Sequence, residues 1–157
     1  MIAYRKGSYK YQLSLMTISH RPEIGDNDER EGLWYFRPLL HSYPAAGNGF
    51  IEIIQEADFK SVIAIRDSYA WDGASGPTID TKDTMVASLV HDALWQLIEE
   101  GHLPEKYRKQ ANSEFYAILI ASGVPRWRAR LWYWAVSKLG SHWVKHFGTK
   151  RKTIKAT

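Results

Sequence analysis

Between Thr84 and Glu100 the chain reads TMVASLVHDALWQLIEE. Met85, Val86, Ala87, Leu89, Val90, Ala93, Leu94, Trp95, Leu97 and Ile98 surround a helical path with apolar groups on nearly every side. A helix that is apolar almost all round is stable only when other elements cover it. This segment therefore predicts a buried central helix, and the rest of the fold must be built to enclose it. It ends at Gly101, a residue suited to the left-handed position that closes a helix. The exceptions to its apolar character are Ser88, His91, Asp92 and Gln96. Ser88, Asp92 and Gln96 are four residues apart and share one row, with His91 beside it. A carboxylate taken from water into such a setting is costly unless it is paired, hydrogen-bonded or bound to a metal. Some other part of the chain must answer Asp92.

The elements available to do so divide along the sequence. In the first half, the alternation Tyr9-Tyr11-Leu13-Leu15, the runs Leu33 to Phe36, Phe50 to Gln55 and Phe59 to Ile65 read as strands. The stretch from Ile18 to Gly32, with Pro22, Gly25, Asp26, Asn27 and Asp28, reads as an exposed loop, and Ser42 to Gly49 as a turn cluster. In the second half, Pro104 opens a helix to about Ser122 that stops at Gly123. Pro125 opens another, to roughly Leu139, with a break at Gly140 and a further helical stretch to Phe147. Strands followed by helices predict an α+β domain, a small antiparallel sheet packed on two to three C-terminal helices. With 157 residues the chain suits one such domain over residues 1–148, followed by a basic tail over 149–157. The N-terminal residues lack the apolar core of a signal peptide, and no transmembrane segment is expected. Without cysteine there is no disulfide, thiolate metal site or cysteine nucleophile.

Three segments offer partners for the His-Asp pair. The glycine-rich turn WDGASGP contains Asp72, Gly73, Ser75 and Gly76, and such turns aim carbonyls at a calcium ion or amides at an anion. A tight strand-to-helix connection needs the same glycines for its dihedral angles alone. Ser75 is a conceivable nucleophile with His91 as base, although GASG departs from the G-x-S-x-G elbow. On the second helix Asn112 falls within an apolar face of Ala111, Phe115, Ile118 and Leu119. There it either orients His91 through a ring N–H or satisfies a backbone group in the core. His91 has the near-neutral pKa of a general base, and Asp92 the chemistry of a cation ligand. In the structural alternative, Asp92 accepts from backbone or a basic side chain and His91 is a satisfied core residue.

The order of these motifs resembles a family of small bacteriophage and prophage proteins of unknown function. The residues that carry it are Asp72-Gly73-Ala74-Ser75 with Pro77, Val90-His91-Asp92 with Trp95, Ala111-Asn112 with Phe115, Gly123-Val124-Pro125 and Arg126-Trp127-Arg128. The resemblance spans roughly residues 59–139 and implies a virion or host-cytoplasmic setting. The family usually carries an acid where this chain has Asn112, and an amide does not stabilise an imidazolium as a carboxylate does. A more distant similarity is to the secreted and parvoviral phospholipases A2. That comparison implies His91 as the base that activates water, Asp92 as a calcium ligand, and carbonyls around Gly73 to Gly76, with Asp72, completing the calcium shell. Asn112 stands at the orienting acid's place.

Charge singles out the C-terminal end. The last acidic residue is Glu114, and from Gly123 onward there are nine basic residues and no acidic one. The remainder holds twelve basic and seventeen acidic residues. Within the basic part Arg126, Trp127, Arg130 and Trp132 crowd one helix. Aromatic and arginine enrichment marks docking surfaces, and basic amphipathic helices also meet nucleic acid or anionic membrane. Three functions follow as expectations. The first is a phage-encoded accessory or virion-associated protein of the tail or baseplate, docking other virion proteins through the Trp/Arg helix, with a structural or vestigial His-Asp cluster. The second is a calcium-assisted lipid or ester hydrolase, and the third a nucleic-acid or anionic-surface binding module.

Overall fold

A computed structural model describes residues 3–4, 11–12, 25–28, 33–57, 60–66, 69–71 and 82–147. The basic tail 149–157 and most of the alternating segment around Tyr11 lie outside the described residues. The architecture is α+β, with strands first and helices after them. The strands are β1 (Ala3–Tyr4), β2 (Tyr11–Gln12), β3 (Gly25–Asp28), β4 (Leu33–Phe36), β5 (Ala46–Gly47), β6 (Ile51–Gln55), β7 (Ser61–Arg66) and β8 (Ala70–Trp71). The helices are α1 (Lys82–Glu99), α2 (Arg108–Ala121) and α3 (Arg126–Phe147), with a short 3-10 turn at Glu105–Tyr107 before α2.

The main sheet has five antiparallel strands in the order β3-β4-β7-β6-β5, and a three-stranded ribbon runs β1-β2-β8. Register explains which face is apolar. Trp34 pairs with Ile65 and Ile65 with Ile51; Phe36 pairs with Ile63 and Ile63 with Ile53. Side chains directly across strands share a face, so these six form one apolar surface, and all are buried. They join one core with Leu89, Val90, Ala93, Leu94 and Leu97 of α1 and with Phe115 and Leu119 of α2. The central strand β7 is buried from Ser61 to Ile65, on both faces.

Three expectations change. The stretch from Ile18 to Gly32, read as a loop, contains β3, whose residues pair with β4 from Gly25↔Phe36 to Asp28↔Leu33. Backbone pairing to the open edge of β4 outweighs the turn propensity of Gly-Asp-Asn-Asp. The turn cluster from Ser42 to Gly49 likewise contains the short edge strand β5. Gly140 makes no break, because α3 runs unbroken through it to Phe147. One interior glycine costs roughly 1 kcal/mol in a helix, too little by itself to end one. Gly101 and Gly123 do stop α1 and α2, with φ of 79° and 88°.

Candidate functional site

Helix α1 is as enclosed as its composition demands. From Thr84 to Ile98 only Val86, Asp92 and Gln96 escape full burial. Ser88 and Gln96, the two ends of its polar row, are met by the strand segment that leads into the glycine turn. Trp71 Nε1–H donates to Ser88 Oγ at 3.2 Å, and Ser88 Oγ donates to Met85 O at 2.9 Å. One turn beyond Asp92, Gln96 Oε1 accepts from the Tyr69 hydroxyl at 3.0 Å, and its amide donates to Glu100 at 2.9 Å.

His91 is answered from α2. Its Nε2 lies 2.8 Å from Asn112 Oδ1, and the Trp95 indole Nε1–H points at the same oxygen from 3.1 Å. An indole nitrogen only donates, so the atom it meets must be the amide oxygen. That oxygen accepts only, so His91 Nε2 must carry a proton and donate. The indole thus settles the amide orientation, and the amide settles the histidine's proton. The amide nitrogen of Asn112 turns the other way, toward Ser137 Oγ on α3 at 3.4 Å. One asparagine side chain therefore touches all three helices.

The aromatic walls hold the ring in place. His91 packs against Trp95 and Phe115 at centroid distances of 5.1 and 5.2 Å. The guanidinium of Arg108 covers the Trp95 ring at 4.3 Å and is itself held by Glu105. The Arg108 hydrogen bond, helped by its charge, holds the Glu105 carboxyl below its ordinary range. The second ring nitrogen, Nδ1, lies 3.6 Å from Asp92 Oδ1, too far for a hydrogen bond. The Asp92 side chain is 14% exposed and that of His91 9%. Asp92 sits at the boundary of the core rather than inside it.

The residues expected to cooperate are brought together in part. His91, Asp92 and Asn112 converge. Asp72, Gly73, Ser75 and Gly76 lie outside the described residues. Of the side chains and carbonyls assigned to calcium, Asp92 alone is described. Among the described residues no group of three or more His, Asp or Glu side chains is arranged to hold a metal.

Trp132 needs correction as a docking residue: it is 4% exposed and belongs to the core. Trp127 is 67% exposed, and Arg126 and Arg130 are exposed beside it. Leu131 and Trp134, 48% and 55% exposed, extend the Trp127 row at spacings of four and seven. Arg128 lies over the Trp127 ring at 5.4 Å. Trp95 and Phe115, each within one turn of a polar site residue, are partners that helical spacing makes visible. Ser137 carries no such signal. Neither does Glu114, a fully buried carboxylate on α2 that accepts from the backbone N–H groups of Leu39 and Leu40, more than seventy residues away.

A family model described as a protein of unknown function (DUF1353) matches residues 51–136, from the start of β6 into α3. No curated protein and no solved structure matches the chain.

Proposed function

We propose that this chain, which belongs to the DUF1353 family of proteins of unknown function, is a phage-encoded accessory protein that acts by docking through the outward face of α3. The observation that carries this reading is the row Trp127, Leu131 and Trp134, each about half or more exposed on a helix whose Ala129, Trp132 and Ala135 are buried. Large apolar side chains held open to water in a contiguous row mark a surface that is covered in use. The His91 centre then serves as the knot that ties the three helices, since the Asn112 amide meets His91 and Trp95 of α1 and Ser137 of α3. The phage setting comes from the motif resemblance and is part of the proposal, as are the tail and baseplate.

The test is incorporation into particles. A phage genome encoding the chain with Trp127→Ala and Trp134→Ala should yield virions lacking the protein, while the purified variant melts as the parent does. Virions that carry the double variant at parental levels would contradict docking through α3. Virions lacking the parent chain would remove the virion setting.

A second reading is favoured by one observation, the Asn112 bond to His91 Nε2. It leaves Nδ1 beside Asp92 as the ring atom able to take a proton from water. That water would attack an ester carbonyl, and the proton would pass to the leaving alkoxide as the C–O bond breaks. Calcium, if bound, would polarise that carbonyl, with Asp92 as one ligand. Under this reading His91→Gln abolishes hydrolysis of a fluorogenic phospholipid, and Asp92→Asn removes calcium binding in calorimetry. Absence of both activities in the parent protein eliminates it.

A further inference from the structure

The outward face of α3 combines two properties. Trp127, Leu131 and Trp134 follow one another at the spacing of a single helical row, and all are exposed. Arg126, Arg130 and Lys138 are exposed on the same helix, and Arg128 is half-buried over Trp127. No acidic residue occurs anywhere after Glu114. The face is therefore apolar along its crest and of one charge sign throughout.

From this we infer that the occupant of the face is an anionic lipid bilayer surface, on which α3 lies in the plane of the headgroups. The inference rests on the exposed row that carries the docking reading and takes a lipid surface, in place of a particle protein, as what covers it. Three arguments separate this surface from the other candidates. A second copy of the chain would set two exclusively basic faces against each other, which like-charge repulsion opposes. A protein groove receives a helix that can sink into it, but the buried Ala129, Trp132 and Ala135 of α3 belong to its own fold, so only a convex ridge is on offer. A flat and deformable surface accepts such a ridge. Nucleic acid calls for cations along the contact line, whereas here Trp127, Leu131 and Trp134 occupy that line for two turns, Arg126 and Arg130 flank it, and Lys138 stands only at its C-terminal end. Tryptophan and leucine on one side with Arg/Lys beside them is the composition of helices that rest at the headgroup boundary. Tryptophan is also at home at that depth. No helix among the described residues is long and apolar enough to cross a membrane, so the mode is resting on the surface. Each basic group near an anionic leaflet adds to the attraction.

The experiment is sedimentation of the full chain with vesicles of phosphatidylcholine alone and of phosphatidylcholine with phosphatidylglycerol, read together with tryptophan emission. Binding to the anionic vesicles with a blue shift is expected, and little to the neutral ones. Trp127→Ala with Trp134→Ala should weaken it by about tenfold or more. Arg126→Gln with Arg130→Gln should weaken it by a similar factor, and raised salt should weaken it further. Circular dichroism and melting establish that both variants fold. Equal binding to both vesicle types, tighter binding to a DNA duplex than to vesicles, or a dimer that the tryptophan variant dissolves would each overturn the inference. Failure to bind vesicles while particles still require Trp127 and Trp134 overturns the lipid partner and leaves docking intact. Failure of both assays overturns docking itself.

Discussion

Asn112 carries two hydrogen bonds on one oxygen, so its loss strands two buried donors at once. Asn112→Ala should cost about 2–6 kcal/mol, since each unpaired buried polar group costs roughly 1–3, and chemical denaturation would measure it. The same geometry predicts that nitrogen-15 spectra find a proton on His91 Nε2. An Nε2 without a proton would contradict the amide orientation set by Trp95. Tyr43 shows the opposite case. Its ring is buried against Tyr107 at 5.8 Å, and its hydroxyl has no hydrogen-bond partner among the described residues. Burial, and then the charge of Glu114, push the Tyr43 phenol above its ordinary value of 10.0. The folded state thus favours the neutral phenol, while the unfolded chain ionises near the ordinary value. Stability from this group is complete below about pH 10 and falls as pH rises above it. Tyr43→Phe should leave the melting temperature at neutral pH unchanged or raised, and should flatten its decline between about pH 9 and pH 11 relative to the parent.

Helix ends and strand faces were legible at the scale of elements because their signals are local. The glycines that close α1 and α2 stand at positive φ with open space around the missing Cβ. Gly123→Ala should therefore cost about 1–2 kcal/mol through backbone strain alone, measurable as a lower melting temperature. The alternation of β4 and β6 and the unbroken apolar run of β7 similarly told which residues meet the helices. Strand β3 was not legible, because Gly-Asp-Asn-Asp acquires its conformation from pairing with β4 and not from its own preferences. In α3 the width of the apolar stripe was readable, but its division between core and surface was not. Trp132 and Trp134 are two residues apart, and only packing decides that the first goes inward. Trp132→Ala should cost about 3–5 kcal/mol. Trp127→Ala with Trp134→Ala should cost less than about 1 kcal/mol. Equal losses would contradict the assignment of faces.

Across the whole molecule, the demand made by the apolar helix α1 is met from both sides. The sheet supplies an apolar face, and α2 supplies the amide that satisfies His91. The expectation that other elements answer the His-Asp pair holds for His91, which Asn112 meets, whereas Asp92 reaches the core boundary with its side chain 14% exposed. The identity of the answer was only half evident. Asn112 was recognisable from its place in an apolar face, whereas Ser137 and the cover formed by Arg108 depend on how the helices cross. Charge shows the same split: the basic end was plain by counting, and the row of exposed tryptophans on it needed the fold. The docking account depends on that row being open in the isolated chain, and fluorine spectra of the protein labelled with 5-fluorotryptophan test it most directly. Trp127 and Trp134 should shift between light and heavy water and broaden with a soluble paramagnet, while Trp34, Trp71, Trp95 and Trp132 stay unaffected. Protection of Trp127 and Trp134 to the same degree as Trp132 would contradict it.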